Sequence, residues 1–363
     1  MRILYIEPLG VRGGMGHYNE ALIAAYEELG ARVDLVTSSH DPEHETHAEV
    51  HVSRFFRIAL ERSKPRIVRA AGYVGGYLGC LRMARRADIV VMHFLHLPTV
   101  DRWALTVMRR LGPRLVLVAH EPKPFQERQR GQAFQKSLHA FDLIVVHGPH
   151  ARDEILARGV PQDRVVVASH GEFRPMASLS PAGAPEILGV RSLTHPVAAI
   201  IGNLRPGKGI RRAREALEVP GSPVGTLLVA GARQGNWEIE EALSVAQDSP
   251  LQVVRLDRRM SDAEERAAYS AADVVLALYD SGYSSGVISR AHSMGKPVVL
   301  TDVGDLAQQV GPCDVVVPPD YNAKQLRDAV GQCLQADHFA PAEWNTEAWR
   351  LHAAVVLARL ASR

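Results

Sequence analysis

Cysteine is scarce in this chain: Cys80, Cys313 and Cys333 are the only three in 363 residues, far apart and never in CxxC spacing. That excludes a disulfide framework and a structural zinc site, and it fits a reducing, cytoplasmic compartment. Long apolar runs are missing too: no stretch of about 18 uncharged apolar residues occurs, so no membrane span is expected. Met1-Arg2-Ile3-Leu4-Tyr5-Ile6 reads as a strand, without the n-region and h-region of a signal peptide. Charge of one sign is also lacking. The net charge of +2 argues against a dedicated nucleic-acid binder, and no nucleic-acid partner is expected. With 46% hydrophobic and 23% charged residues, 29 Gly and 22 Pro, disordered, collagen-like and coiled-coil classes are excluded as well.

What is present is a recurring pattern. Short β-branched runs alternate with helix-like segments, the signature of parallel strands joined by crossover helices. The first half has runs at Arg2–Glu7, Val33–Thr37, Ile89–His93, Leu115–His120, Leu143–His147 and Val165–Ser169. The second has Val197–Ile201, Thr226–Ala230, Val253–Leu256, Val274–Leu278, Val298–Thr301 and Val315–Val317. These runs do not alternate polar with apolar, because strands covered by helices on both faces are apolar throughout. Ala21, Leu22, Ala25, Tyr26 and Leu29 share one helical face and Gly30 provides the stop. Pro175 to Pro185, rich in Pro, Ser and Ala, reads as a linker. The expected fold class is α/β, with two Rossmann-like doubly wound domains over residues 1–175 and 190–340, a linker at 176–189, and a C-terminal helix within 341–363 that packs back toward the first domain.

Three strand-to-helix loops carry residues suited to ligand chemistry. The first, Leu9-Gly10-Val11-Arg12-Gly13-Gly14-Met15-Gly16-His17, places Gly13 and Gly14 where backbone N–H groups approach an anion or sugar closely, or else forms a plain glycine-rich turn. Its spacing is not GxGxxG. The second, Gly202-Asn203-Leu204-Arg205-Pro206-Gly207-Lys208-Gly209, adds two cations, of which Arg205 can clamp phosphate oxygens in pairs and Lys208 acts as a point charge; two solvated surface cations are the alternative. In the third, Tyr279-Asp280-Ser281-Gly282-Tyr283-Ser284-Ser285-Gly286, Ser284, Ser285 and Gly286 suit a phosphate at a helix N-terminus, or simply cap the helix.

In this order the three loops resemble the GT-B glycosyltransferases, specifically the retaining enzymes of glycosyltransferase family 4. The second loop is similar to that family's G-R-L-x-x-x-K-G, with Asn203 at the usual arginine and Leu204–Gly209 close to an I-R-P-x-K-G variant. Arg290-Ala291-His292-Ser293-Met294-Gly295-Lys296-Pro297-Val298-Val299 looks like the family's E-A-M-A-x-G-x-P-V-V block. The resemblance covers nearly the whole chain and implies two domains facing a cleft. It departs where the family often has two glutamates eight positions apart, at positions held here by Gly282 and Arg290. It implies that His120, at a strand end in Ala119-His120-Glu121-Pro122, stands beside the transferred sugar and orients the reacting centre. Glu121 then orients His120, binds acceptor or is merely exposed. His170 borders the cleft, and Met260 presents main-chain groups to the base. Arg205, Lys208 and the Ser284–Gly286 loop hold the donor diphosphate, and acceptor meets Gly13 and Gly14.

Other groups have plainer readings. His93 and His96 sit near a strand end with no supporting cysteine or carboxylate cluster, so packing or crevice lining is expected in place of metal binding. His40, His44, His47 and His51 are expected in a solvent-exposed acidic loop. From Arg54 to Arg86 nine basic residues face a single acid, Glu61. Residues 54–62 are expected to form an amphipathic helix that contacts anionic lipid at the inner face of the membrane, or a solvated Arg-rich helix, or a site for an anionic soluble acceptor.

The expected activity is transfer of a sugar from a nucleoside-diphosphate sugar to an acceptor hydroxyl, lipid-linked or on a glycan. Retention is implied by the resemblance, and no metal or further cofactor is expected because Arg205 and Lys208 offset the leaving diphosphate. A nucleotide-sugar-binding relative without catalysis and a nucleotide-sugar epimerase are the alternatives. No carboxylate pair at hydrolase spacing is identifiable.

Overall fold

A computed structural model describes residues 1–8, 14–38, 50–61, 63–123, 127–177, 179–180, 183–235, 237–246, 248–336 and 346–361. Gly13, Arg62, His40, His44 and His47 lie outside the described residues. The chain forms two units, Met1–Gly171 with Thr346–Arg363, and Glu172–Asn345.

In the first unit the apolar runs become β1 (Arg2–Glu7), β2 (Arg32–Thr37), β4 (Ile89–Met92), β5 (Arg114–Val118), β6 (Leu143–Val146) and β7 (Val165–Val167). A short strand, β3 (His51–Ser53), joins the edge beside β2. His51 therefore stands on an edge strand and not in a loop, although it is exposed as expected. The sheet order is β3-β2-β1-β4-β5-β6-β7 and every pairing is parallel. The helices are α1 (Gly14–Glu28), α2 (Arg57–Leu60), α3 (Arg66–Ala84), α4 (Pro98–Leu111), α5 (Glu127–Leu138) and α6 (Pro149–Ala157). α13 (Glu347–Ala361) packs on α1, with Arg350 Nε 3.5 Å from Glu28 Oε2.

The second unit holds α7 (Ala184–Leu188), β8 (Val197–Ile201), α8 (Ile210–Leu217), β9 (Thr226–Ala230), α9 (Ile239–Ala242), β10 (Gln252–Leu256) and α10 (Asp262–Ala271), then β11 (Val274–Ala277), α11 (Gly286–Ser293), β12 (Val298–Thr301), β13 (Val315–Val317) and α12 (Ala323–Gln335). Its parallel sheet is ordered β10-β9-β8-β11-β12-β13. Two apolar cores flank the sheet, so both of its faces are covered. Of the residues read as linker, Leu179 N–H donates to Ser270 Oγ at 3.1 Å, and Ala184 and Leu188 are buried in the second unit.

In each sheet the strand order reverses beside the first strand, between β1 and β4 and between β8 and β11. Ligands of open α/β sheets bind outside the carboxyl ends of the strands at such reversals. The glycine-bearing loop that follows β8 stands at one of these points, and Gly14, which opens α1, follows β1 beside the other.

The basic segment departs from the expected single helix. Only α2 forms, one turn long, and α3 begins after Pro65. A residue preceding proline avoids helical backbone angles, and proline itself suits a helix start, so the chain breaks here and restarts. The two pieces press together because α3 carries glycines on the contacting side. A Cβ on Gly76 would stand 2.5 Å from the Phe56 ring, and one on Gly72 2.8 Å from Ile58. Phe56 is fully buried there beside Tyr73 and Tyr77. Both tyrosine hydroxyls donate to Asp101 Oδ1, at 2.7 and 2.9 Å, which ties α3 to α4. Among the described residues no helix is long and apolar enough to cross a membrane.

Candidate functional site

In the second unit the loop after β8 meets the loop after β11. Gly209, with φ of 68°, lies so close to the backbone of Leu278 that a Cβ would stand 2.5 Å from its carbonyl oxygen, so this position takes only glycine. That close approach turns Lys208 inward. Lys208 is 7% exposed, and its Nζ lies 4.0 Å from the centre of the Tyr279 ring. The Tyr279 and Ser285 hydroxyls share a hydrogen bond of 3.0 Å, so one ring connects the lysine to the N-cap of α11. The nearby Asp280 is drawn to Arg212 instead, at 2.5 Å. Among the described residues Lys208 has no carboxylate partner, and half-buried Arg205 makes no ion pair. A buried ammonium without a counter-charge is costly, and a bound anion offsets that cost. The leading N–H groups of α11 add a second attraction for negative charge.

The three sequence-predicted residues of this third loop separate. Ser285 is buried, its N–H donates to Gln309 Oε1 at 2.7 Å and its carbonyl accepts from Gln309 Nε2 at 3.2 Å. It shapes the loop, and the groups left facing outward belong to half-buried Ser284 and Gly286. Gln309 has no motif around it and was not found by sequence reading. Met260 stands in the loop between β10 and α10, half-buried, before the Ser261–Glu264 capping box.

The two missing glutamates have different causes. At Gly282 the nearest atoms an added Cβ would meet belong to Leu306, from 3.4 Å, so space does not dictate glycine. Arg290 is 1% exposed, donates from Nη1 to the Arg174 carbonyl at 2.8 Å, and its guanidinium lies 5.1 Å from the Phe173 ring. This buried side chain holds the entry segment of the second unit.

In the first unit the carboxyl ends of four adjacent strands each supply a histidine: His93 after β4, His120 after β5, His147 after β6 and His170 after β7. Tyr18 of α1 lies across the row, with ring centres 5.6, 4.5, 5.5 and 5.2 Å from them in that order. α13 closes the far side with Trp349, 4.9 Å from Tyr18 and 5.5 Å from His170, and with His352, 5.8 Å from His147. The indole fills the space beside Gly171 so tightly that no side chain fits there. His93, His147 and His352 are buried, while His120 and His170 are half-buried. The sequence reading named His120 and His170 but did not assemble the row. Glu121 is half-buried next to it, and Gly14 opens α1 after β1. His96 stands apart from the row, stacked on Phe94 at 5.6 Å. Among the described residues no three histidine, cysteine or acidic side chains converge in a metal-holding geometry.

Burial keeps four of these rings neutral. It pushes His93 and His170 down to about 3, with repulsion from His147 second, and it holds His120 and His352 well below the usual imidazole range. A neutral imidazole offers one donor and one acceptor and no charge. The first unit therefore presents uncharged hydrogen-bonding groups, and the second presents cations and helix N–H groups.

Comparison with known proteins agrees with this division. Residues 12–171 match the family model described as Glycosyltransferase Family 4, and residues 195–336 match Glycosyl transferases group 1. No curated protein matches significantly. Among solved structures, HepE from Anabaena, crystallised in complex with UDP-glucose, is 15% identical with a TM-score of 0.71 over 99% of both chains. Sucrose-phosphate synthase from Thermosynechococcus elongatus is 18% identical with a TM-score of 0.69, covering 100% of this chain and 99% of that one. A putative UDP-N-acetylglucosamine 2-epimerase from Listeria monocytogenes is 14% identical with a TM-score of 0.59, covering 100% and 97%. At such identities these likenesses establish the fold.

Proposed function

We propose that this chain, which belongs to the GT-B glycosyltransferases, moves a hexosyl group from a nucleoside-diphosphate sugar to an acceptor hydroxyl, with retention at the anomeric carbon. The observation that carries this reading is Lys208, buried without a carboxylate partner among the described residues and joined through Tyr279 to the start of α11. Lys208, Arg205, Ser284 and Gly286 hold the diphosphate, Ser285 shapes their loop, and the main chain at Met260 meets the base. As the bond from the anomeric carbon to the diphosphate oxygen breaks, charge grows on the leaving group, and the two cations stabilise it in place of a divalent ion. The acceptor oxygen bonds to that carbon and its proton leaves with the diphosphate. The neutral rings His120 and His170, with Gly14 and Glu121 nearby in the chain, recognise the uncharged hydroxyl groups of sugar and acceptor. HepE, whose crystal structure contains UDP-glucose, supports this choice of donor class.

The exposed face of α2 and α3 supports an acceptor presented at a membrane. Phe55, Ile58, Ile67, Val68 and Leu78 are all exposed, among exposed Arg54, Arg57, Lys64, Arg66 and Arg82. Cations near an anionic bilayer contribute about 1 kcal/mol each.

The test is calorimetric titration with UDP, ADP, GDP and dTDP, in EDTA and then in magnesium, on wild type, Lys208→Met and Arg205→Ala. One diphosphate should bind in EDTA and bind at least tenfold more weakly to both variants. If none binds under either condition, or if Lys208→Met binds as wild type does, the donor assignment is wrong. Release of that diphosphate from its sugar conjugate then separates a transferase from a relative that only binds.

A further inference from the structure

The contact between His93 and His120 fixes more than the positions of two rings. His93 Nδ1 and His120 Nε2 are 3.0 Å apart, so one nitrogen donates and the other accepts. His93 is 2% exposed, and its other nitrogen, Nε2, is buried with no hydrogen-bond partner among the described residues. If His93 carried its hydrogen on Nε2, a buried N–H would be left without an acceptor, the rarer kind of orphan in folded proteins. With the hydrogen on Nδ1, His93 donates to His120, and only a lone pair is left in the apolar surroundings. Its neighbours in the row have the same form for a simpler reason. His147 Nδ1 lies 3.0 Å from the Ala168 carbonyl and His170 Nδ1 2.7 Å from the Gly171 carbonyl. A carbonyl oxygen only accepts, so both rings carry hydrogen on Nδ1.

We infer that His93 is a positioning residue that holds His120 as its Nδ1–H tautomer, so that His120 meets a bound molecule as a hydrogen-bond donor to a lone-pair oxygen. His120 Nε2 is occupied as an acceptor, and a neutral ring then has its single hydrogen on Nδ1. His120 is half-buried, and no hydrogen bond is made to its Nδ1 among the described residues. The group it takes is a hydroxyl, ring or carboxylate oxygen, and an ammonium is excluded because both would be donors. His120 is likewise not a general base at that nitrogen. Burial, which keeps both rings from gaining a second proton, agrees with this assignment. The functional part of the inference rests on the glycosyl-transfer reading, and the tautomer itself does not.

The experiment separates the two. Long-range 1H–15N correlation spectra of 15N-histidine-labelled protein at pH 7, with His120 assigned by its loss in His120→Asn, report which ring nitrogen is protonated without any ligand. Wild type is expected to show His120 protonated on Nδ1. His93→Phe, which has no donor, should shift His120 toward the Nε2–H form. His93→Asn, whose amide nitrogen stands about where Nδ1 stood, should restore the wild-type pattern. Consumption of UDP-glucose, used as the probe, should fall about tenfold in His93→Phe and recover in His93→Asn. A wild-type spectrum with hydrogen on His120 Nε2 overturns the inference, as does an unchanged His120 in His93→Phe. If wild type consumes no UDP-glucose while the spectra behave as stated, the choice of substrate fails and the positioning role of His93 stands.

Discussion

Acidification should destabilise the first unit before most carboxylates protonate. His93 binds its proton at about 3 in the folded protein against an ordinary 6.5. Between those values the unfolded chain holds more protons, so stability rises with pH there; it is fully present above about 6.5 and is lost as pH falls. At 1.36 kcal/mol per unit, moving from pH 7 to pH 5 removes about 2 kcal/mol for this one ring. His120, His170 and His352 are shifted in the same direction by burial, so the total loss exceeds that figure, and whole domains have only about 5–15 kcal/mol to lose. With a urea dependence of about 2 kcal/mol per molar, the unfolding midpoint should drop by at least about 1 M. Urea titrations at pH 7, 6 and 5, with hydrogen exchange to locate the loss, provide the assay. Peptides from β4 to β7 should lose protection while those from β8 to β13 keep it. Glu218 and Glu264, whose carboxyls are held below 4.5 by hydrogen bonds from backbone N–H groups, act only at lower pH. His93→Phe should reduce the dependence between pH 7 and 5 by about the share of this one ring. A midpoint that does not move over this range, or one that moves equally in His93→Phe, would refute the reasoning.

Two neighbouring glycines of α3 should respond with opposite signs. Gly76→Ala drives a methyl into the Phe56 ring and should cost about 1–3 kcal/mol, whereas Gly75→Ala meets nothing within 4 Å and should gain about 0.5–1 kcal/mol from helix propensity; thermal melts of the pair decide it. The exposed face of α2 and α3 should carry the chain onto vesicles containing anionic lipid and not onto neutral ones. Arg57→Glu with Arg66→Glu should abolish cosedimentation, and binding that is equal on both vesicle types would rule out the charge-based contact.

Much of this molecule is legible in its sequence because strands sealed on both faces are written as unbroken apolar runs. Twelve such runs became strands. β3 escaped notice because its three residues lie on an edge, exposed or half-buried, and carry no apolar signature. The helix expected over residues 54–62 shrank to one turn because Phe56 answers to Gly76, twenty residues away, and not to helical periodicity. The same distance effect hid the histidine row. His93, His120, His147 and His170 are 23 to 27 residues apart in the chain, and each looks like an isolated strand-end histidine. The missed signal was collective: four successive apolar runs each closed or directly followed by a histidine, which a parallel sheet brings side by side. Gln309 offered nothing comparable, since its hold on Ser285 is one amide side chain meeting one peptide across 24 positions.

The placement of α13 sets an order of events during synthesis. The first unit is interrupted at Gly171 and resumes at Thr346, so the ribosome delivers all described elements of the second unit before the segment bearing Trp349 and His352. Until then Tyr18 and the rings of His147 and His170 lack their cover, and the space beside Gly171 has no indole to fill it. A nascent chain stalled before Thr346 would present that aromatic face to chaperones. A chain released there would be a substrate for proteolysis despite carrying every strand of both sheets.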